Sequence, residues 1–189
     1  MSEKKRLIVA VTGASGSLYA RILFDKLVLL QEQWEEVALL FSEPGMAVWN
    51  YELDKLPLTN YPFTRYKASE LFAPPASGSA AYDAMIICPC SAGTLGRIAH
   101  GTGDNLVTRA ADVMLKERKK LILLFRESPL SLIHIKNMEM LTLAGAVIYP
   151  ASPGLYTKAS SIEEFISPLV DRVLEQAGLS VPSAYRWKG

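Results

Sequence analysis

Five short runs without a charged residue constrain this chain more than any other feature. They are Leu7–Val11, Val37–Phe41, Ala84–Cys88, Leu121–Phe125 and Ala146–Tyr149. A continuous apolar run of this length reads as a β-strand covered on both faces. The intervals between the runs carry helical spacing. Leu18, Ile22, Leu23, Leu27 and Leu30 mark a helix over 17–31, and a short helix is expected near 45–53. Another is expected over 92–100, and Asp104 is the expected N-cap of a helix reaching about Arg118. Ser128 and Pro129 predict an N-cap and a first-turn proline for a helix ending at Gly145. Ser161 and Glu164 have capping-box spacing for a last helix to about Gln176, with Pro168 inside it. Strands alternating with helices predict an α/β fold, a parallel sheet between two helical layers. One domain spans residues 1–189, with 178–189 read as a lid or a subunit contact. Residues 54–83, with four prolines, read as loop.

In such sheets ligands bind beyond the C-terminal strand ends, so functional residues are expected just after the apolar runs. Twenty Lys and Arg oppose nineteen Asp and Glu, a net charge of +1. That balance argues against a nucleic-acid partner, which needs clustered cations. Residues 97–189 carry twelve bases and nine acids, which suits a small anionic ligand. The two cysteines, Cys88 and Cys90, exclude a disulfide scaffold. They lack the further ligands a zinc site needs, and no metal is expected. The apolar stretch near the N-terminus is too short for a signal peptide or a membrane span. The expectation is a cytoplasmic protein with reduced thiols and no membrane partner.

Gly13, Ala14, Ser15 and Gly16 follow the first run and open a helix. Free N–H groups there suit a phosphate, although Ser15 and Leu18 stand where a dinucleotide fingerprint would place glycines. The alternative is a plain tight turn. Ser91, Ala92, Gly93 and Thr94 follow the third run, and small hydroxyl residues with exposed amides suit a flavin. Cys88 and Cys90 read as packing groups there. Arg109, Asp112 and Lys116 share one helical face, either as a salt-bridge stripe or as two cations aimed at a phosphate. Arg126 and Glu127 directly follow the fourth run. They can reach the crevice as a flavin or phosphate ligand and a proton carrier, or form a surface ion pair. Arg172 lies beside the last helix's apolar stripe, and Tyr156 sits in a Pro-Gly-Leu-Tyr loop.

Taken in order, these segments resemble the flavin prenyltransferases. The motifs are T-G-A-S-G at 12–16, A-P-P-A-S-G-S at 73–79 and C-P-C-S-A-G-T-L at 88–95. T-R-A-A-D-V-M-L-K-E-R at 108–118, F-R-E-S-P-L at 125–130 and P-G-L-Y at 153–156 complete the set. The resemblance implies a Rossmann-like flavoprotein fold in a homo-oligomer, a dodecamer in that family. The implied reaction joins a dimethylallyl group, from dimethylallyl phosphate, to N5 and C6 of reduced FMN without a metal. The product, prenylated FMN, serves a partner decarboxylase, in ubiquinone synthesis or aromatic-acid breakdown. Carried over, Gly13, Ala14, Ser15, Ser42, Ser91, Ala92, Gly93, Thr94 and Arg126 resemble FMN-binding positions. Arg109, Lys116, Tyr156 and Arg172 resemble positions around the prenyl phosphate, and Glu127 the acidic proton carrier. Ser15 and Glu52 resemble further groups at the reacting centre, and Trp187 an aromatic facing an allylic cation. The competing readings are a flavin-dependent cysteine decarboxylase, an NAD(P)-dependent reductase and a non-catalytic FMN-binding protein. The first lacks its P-x-M-N-x-x-M-W run here, and the second its full glycine pattern.

Overall fold

The computed structural model describes residues 3–186. The strands are β1 (Lys5–Val11), β2 (Trp34–Phe41), β3 (Thr64–Lys67), β4 (Ala84–Cys90), β5 (Lys120–Phe125) and β6 (Val147–Pro150). The helices are α1 (Ser17–Leu29), α2 (Glu43–Glu52), α3 (Ala92–Ala99), α4 (Leu106–Lys116), α5 (Leu132–Leu143) and α6 (Ile162–Gln176). All six strands pair in parallel, in the order β3-β2-β1-β4-β5-β6. The order reverses between β1 and β4, which opens a crevice beyond their C-terminal ends.

Strand side chains alternate between two cores. Leu7, Val9 and Val11 face α1, α2 and α6, while Ile8 and Ala10 face α3, α4 and α5. The alternation slips on β4, where the register shifts between Ile87 and Cys90. Cys88 therefore joins the first core and Cys90 the second. Both thiols are buried, and burial raises both pKa values, that of Cys90 to about 12. They are packing groups and stay protonated. Across the first core, the Lys26 ammonium of α1 meets the buried carboxylate of Asp171 on α6 at 2.6 Å.

Three sequence expectations need correction. Residues 64–67, expected in a loop, form the edge strand β3. The cap of α4 is Asn105, whose side chain accepts the Thr108 N–H at 3.1 Å, while Asp104 pairs with Arg97. The cap of α5 is Ser131, not Ser128. The Ser131 hydroxyl accepts the His134 N–H at 3.3 Å and His134 Nδ1 accepts the Ser131 N–H at 3.2 Å. That reciprocal pair satisfies two end donors at once, which a cap three residues earlier would leave open.

Candidate functional site

Backbone hydrogen bonds tie three pairs of neighbouring strand ends. Ser42 N–H donates to Val11 O, Arg126 N–H to Cys90 O and Ala151 N–H to Phe125 O. Thr12 closes the switch point itself. Its hydroxyl donates to Pro89 O at 2.7 Å and accepts the Ser91 N–H at 2.9 Å. Thr12 is buried and bridges the loops after β1 and β4. The sequence signals for it were a polar residue directly after an apolar run and its place at the head of T-G-A-S-G.

Two helix N-termini open onto this rim. Ser91 caps α3, its hydroxyl accepting the Thr94 N–H at 3.3 Å. The amides of Ala92 and Gly93 have no helical carbonyl to bond and remain available to an anion. Ser42 caps α2, accepting the Gly45 N–H at 3.0 Å. The β1 loop lies hard against this turn. A Cβ on Gly13 would stand 2.6 Å from Pro44 Cβ, and one on Gly45 would stand 2.4 Å from Val11 O. Glycine is required at both positions for the close approach.

The N-terminus of α1 differs from the sequence expectation. Two of its leading amides, those of Gly16 and Ser17, are not free for a phosphate, because Glu52 of α2 holds them. The carboxylate accepts Gly16 N–H at 3.2 and 3.0 Å and Ser17 N–H at 2.7 Å. Burial opposes ionisation of Glu52. Hydrogen bonds from the Ser15 side chain and from Gly16 and Ser17 outweigh it and hold the carboxyl below its usual range. A cleft of about 470 Å³ lies against this cap, lined by Ser15, Tyr19, Glu52, Leu53 and Ile166 among others. A second, of about 620 Å³, lies past β2 and β3 and includes Phe41, Ser42, Tyr66 and Lys67.

Arg126 is exposed at the end of β5, and its charge acts on the Tyr19 phenol of α1. Burial nevertheless raises that phenol's pKa. The next residue, Glu127, is half-buried and accepts the Ser128 N–H at 3.0 Å. Gly13, Ala14, Ser15, Ser42, Glu52, the 91–94 turn, Arg126 and Glu127 therefore all lie along the strand-end rim.

The four residues expected around a prenyl phosphate do not meet within the chain. Arg109 lies in the first turns of α4, donating to Ala76 O at 3.3 Å and to Asp112 at 2.8 Å. Lys116 ends the same helix about 10 Å further on. It pairs with Glu117 at 2.5 Å, four residues before β5 begins at the opposite end of the sheet. Arg172 is on α6, across the sheet from α4, and pairs with Glu175 at 2.6 Å. Tyr156 stands exposed in the loop after β6. Trp187 lies outside the described residues. Among the described residues, no His, Cys, Asp or Glu cluster is placed to hold a metal, and no helix is long and apolar enough to cross a membrane.

A doubly wound α/β sheet with an open helix N-terminus at its switch point fits a nucleotide- or flavin-binding class of protein. The comparisons narrow that class. The family model "Flavoprotein" matches residues 1–174. The flavin prenyltransferase UbiX of Pseudomonas aeruginosa is 43% identical, covering 99% of this chain and 96% of that one. A crystal structure of AnUbiX (PadA1) in complex with FMN and dimethylallyl pyrophosphate is 40% identical, with a TM-score of 0.90 over 99% of both chains. A dodecameric FMN-dependent UbiX-like decarboxylase from Escherichia coli O157:H7 is 36% identical, with a TM-score of 0.87 over 97% of this chain and 100% of that one. The chain belongs to the flavoprotein family and, within it, to the flavin prenyltransferases.

Proposed function

We propose that this chain transfers a dimethylallyl group from dimethylallyl phosphate to N5 and C6 of reduced FMN, releasing phosphate and prenylated FMN. The observation that carries this reading is the match, over 99% of both chains, to a protein solved with FMN and dimethylallyl pyrophosphate. The rim residues fit a flavin phosphate. With the Gly16 and Ser17 amides taken by Glu52, the α3 terminus at residues 91–94 receives it, and Gly13, Ala14 and Ser42 line the same rim. Arg126, exposed at the end of β5, would hold the flavin. When bound, the reduced flavin supplies the two nucleophilic positions.

The chain supplies the rest. Arg109, Lys116, Tyr156 and Arg172 hold the prenyl phosphate and offset the charge it gains on leaving. Glu127 delivers a proton to that phosphate and later accepts one at the flavin. Glu52 keeps Ser15 aimed at the reacting centre, and Trp187 offers an aromatic face to the allylic cation. Arg109 and Lys116 lie across the sheet from Arg172, so one phosphate meets all three only where copies of the chain adjoin. A homo-oligomer, of dodecameric size by analogy with the Escherichia coli relative, supplies that geometry. The product passes to a decarboxylase that uses prenylated FMN, in ubiquinone synthesis or aromatic-acid breakdown, and the protein works in the cytoplasm.

The test is phosphate release from dimethylallyl phosphate under anaerobic conditions. Release should require FMN in its reduced form. Equal release with oxidised FMN or with no flavin would contradict the proposal.

A further inference from the structure

One carboxylate on α6 serves two cations. Glu175 Oε2 accepts from Arg172 Nη1 at 2.6 Å, and its other oxygen accepts from Arg186 Nη2. The Glu175 side chain is 14% exposed and those of Arg172 and Arg186 are 50% and 57% exposed, so the carboxylate is the fixed member. Burial opposes its charge, but the bonds from Arg186 and Arg172 outweigh burial and keep it ionised. Arg172 also bonds and acts electrostatically on the Tyr149 phenol of β6.

Arg186 is the last described tie of a strap that follows α6. Leu179, Val181 and Ala184 are buried in the first core. Ser180 exchanges two 2.8 Å hydrogen bonds with the side chain of Gln33. Beyond Ala184 the Arg186–Glu175 ion pair is a polar tie of the strap among the described residues.

We propose that Glu175 is a positioning residue that couples anion binding at Arg172 to docking of the C-terminal strap. The proposal rests on the reading that Arg172 meets the prenyl phosphate. Two guanidinium groups on one carboxylate leave a net positive charge and repel each other. Arg172 has five N–H donors, and Glu175 occupies few of them, so an anion can bind without displacing the carboxylate. That anion neutralises Arg172, removes the repulsion and leaves Arg186 more firmly held. By linkage, a docked strap favours the anion by the same factor.

The test uses the full chain in its native assembly, with inorganic phosphate as the probe. Amide exchange at 184–186 should slow on adding phosphate in the parent. It should not change in Glu175→Gln, whose neutral amide leaves Arg186 with no counter-charge to hold the strap end. The KM for dimethylallyl phosphate should rise about fivefold in Glu175→Gln, the scale of a partly exposed ion pair, with a smaller change in kcat. Glu175→Asp should recover part of both effects, which a variant that merely unfolds would not. No slowing in the parent, or equal slowing in Glu175→Gln, overturns the coupling. An unchanged KM for dimethylallyl phosphate in Arg172→Gln refutes instead the assignment of Arg172 to the prenyl phosphate. The exchange experiment decides the coupling separately.

Discussion

Glu52→Gln removes one negative charge from the N-terminus of α1 and leaves the side chain nearly the same size. In the parent the two oxygens accept three contacts, at 3.2, 3.0 and 2.7 Å, from the amides of Gly16 and Ser17. Gly16, at the N-cap, has no side chain to replace them. Glutamine keeps one acceptor oxygen and turns an NH₂ group toward donors. Losing a cap costs about 1 kcal/mol. Losing an anion at the positive end of the helix dipole costs about 0.3–1 kcal/mol more. A total of about 1–2 kcal/mol lowers the thermal midpoint of a chain this long by roughly 2–8 °C. The effect depends on pH. Burial opposes the Glu52 charge, but the hydrogen bonds win and the folded-state pKa is lowered. Stability from a lowered carboxylate is complete above the unfolded value of about 4.3 and is lost as pH falls through the folded value. The gap between parent and variant is therefore widest at neutral pH and closes as pH falls through the lowered folded-state value. Thermal unfolding followed by circular dichroism at fixed ionic strength measures it. Equal midpoints at neutral pH, or a gap that ignores pH, would refute the capping role.

Three further outcomes are expected. Asp171→Asn leaves the Lys26 ammonium, 16% exposed, without its counter-charge and should cost about 3 kcal/mol in urea unfolding. Pairing Lys26→Met with Asp171→Leu should recover most of that loss. Gly45→Ala places a Cβ 2.4 Å from Val11 O, so α2 must shift; calorimetry should show weaker FMN binding and a loss of about 1–3 kcal/mol in stability. Lys116→Ala should raise the dimethylallyl phosphate requirement more than the FMN requirement in steady-state kinetics, and an equal rise in both would make the lysine structural.

The sheet was legible wherever a strand is buried on both faces. Ile86, Ile122 and Leu124 announce a core because nothing polar interrupts them. β3 was not legible, since Thr64, Arg65 and Lys67 are exposed on an edge and leave no apolar run. The strand-end rule placed residues 13–16, 91–94 and 126–127 correctly on the rim, because the residue after a parallel strand has no other place to go. It could not show that Glu52, thirty-six residues from Gly16, would cap α1. Nor could spacing show that Lys116 and Arg172 lie across the sheet from each other, since helical periodicity gives a face but not the layer it covers. Ser128 misled for a local reason. A serine before a proline looks like a cap, whereas the reciprocal bond to His134 settles the start at Ser131.

This chain alkylates flavin. Anaerobic incubation of the purified protein with reduced FMN and dimethylallyl phosphate, followed by mass spectrometry of the released flavin, tests it most directly. The recovered flavin should be heavier by one five-carbon prenyl unit. Unmodified FMN recovered from folded, flavin-bound protein would contradict it.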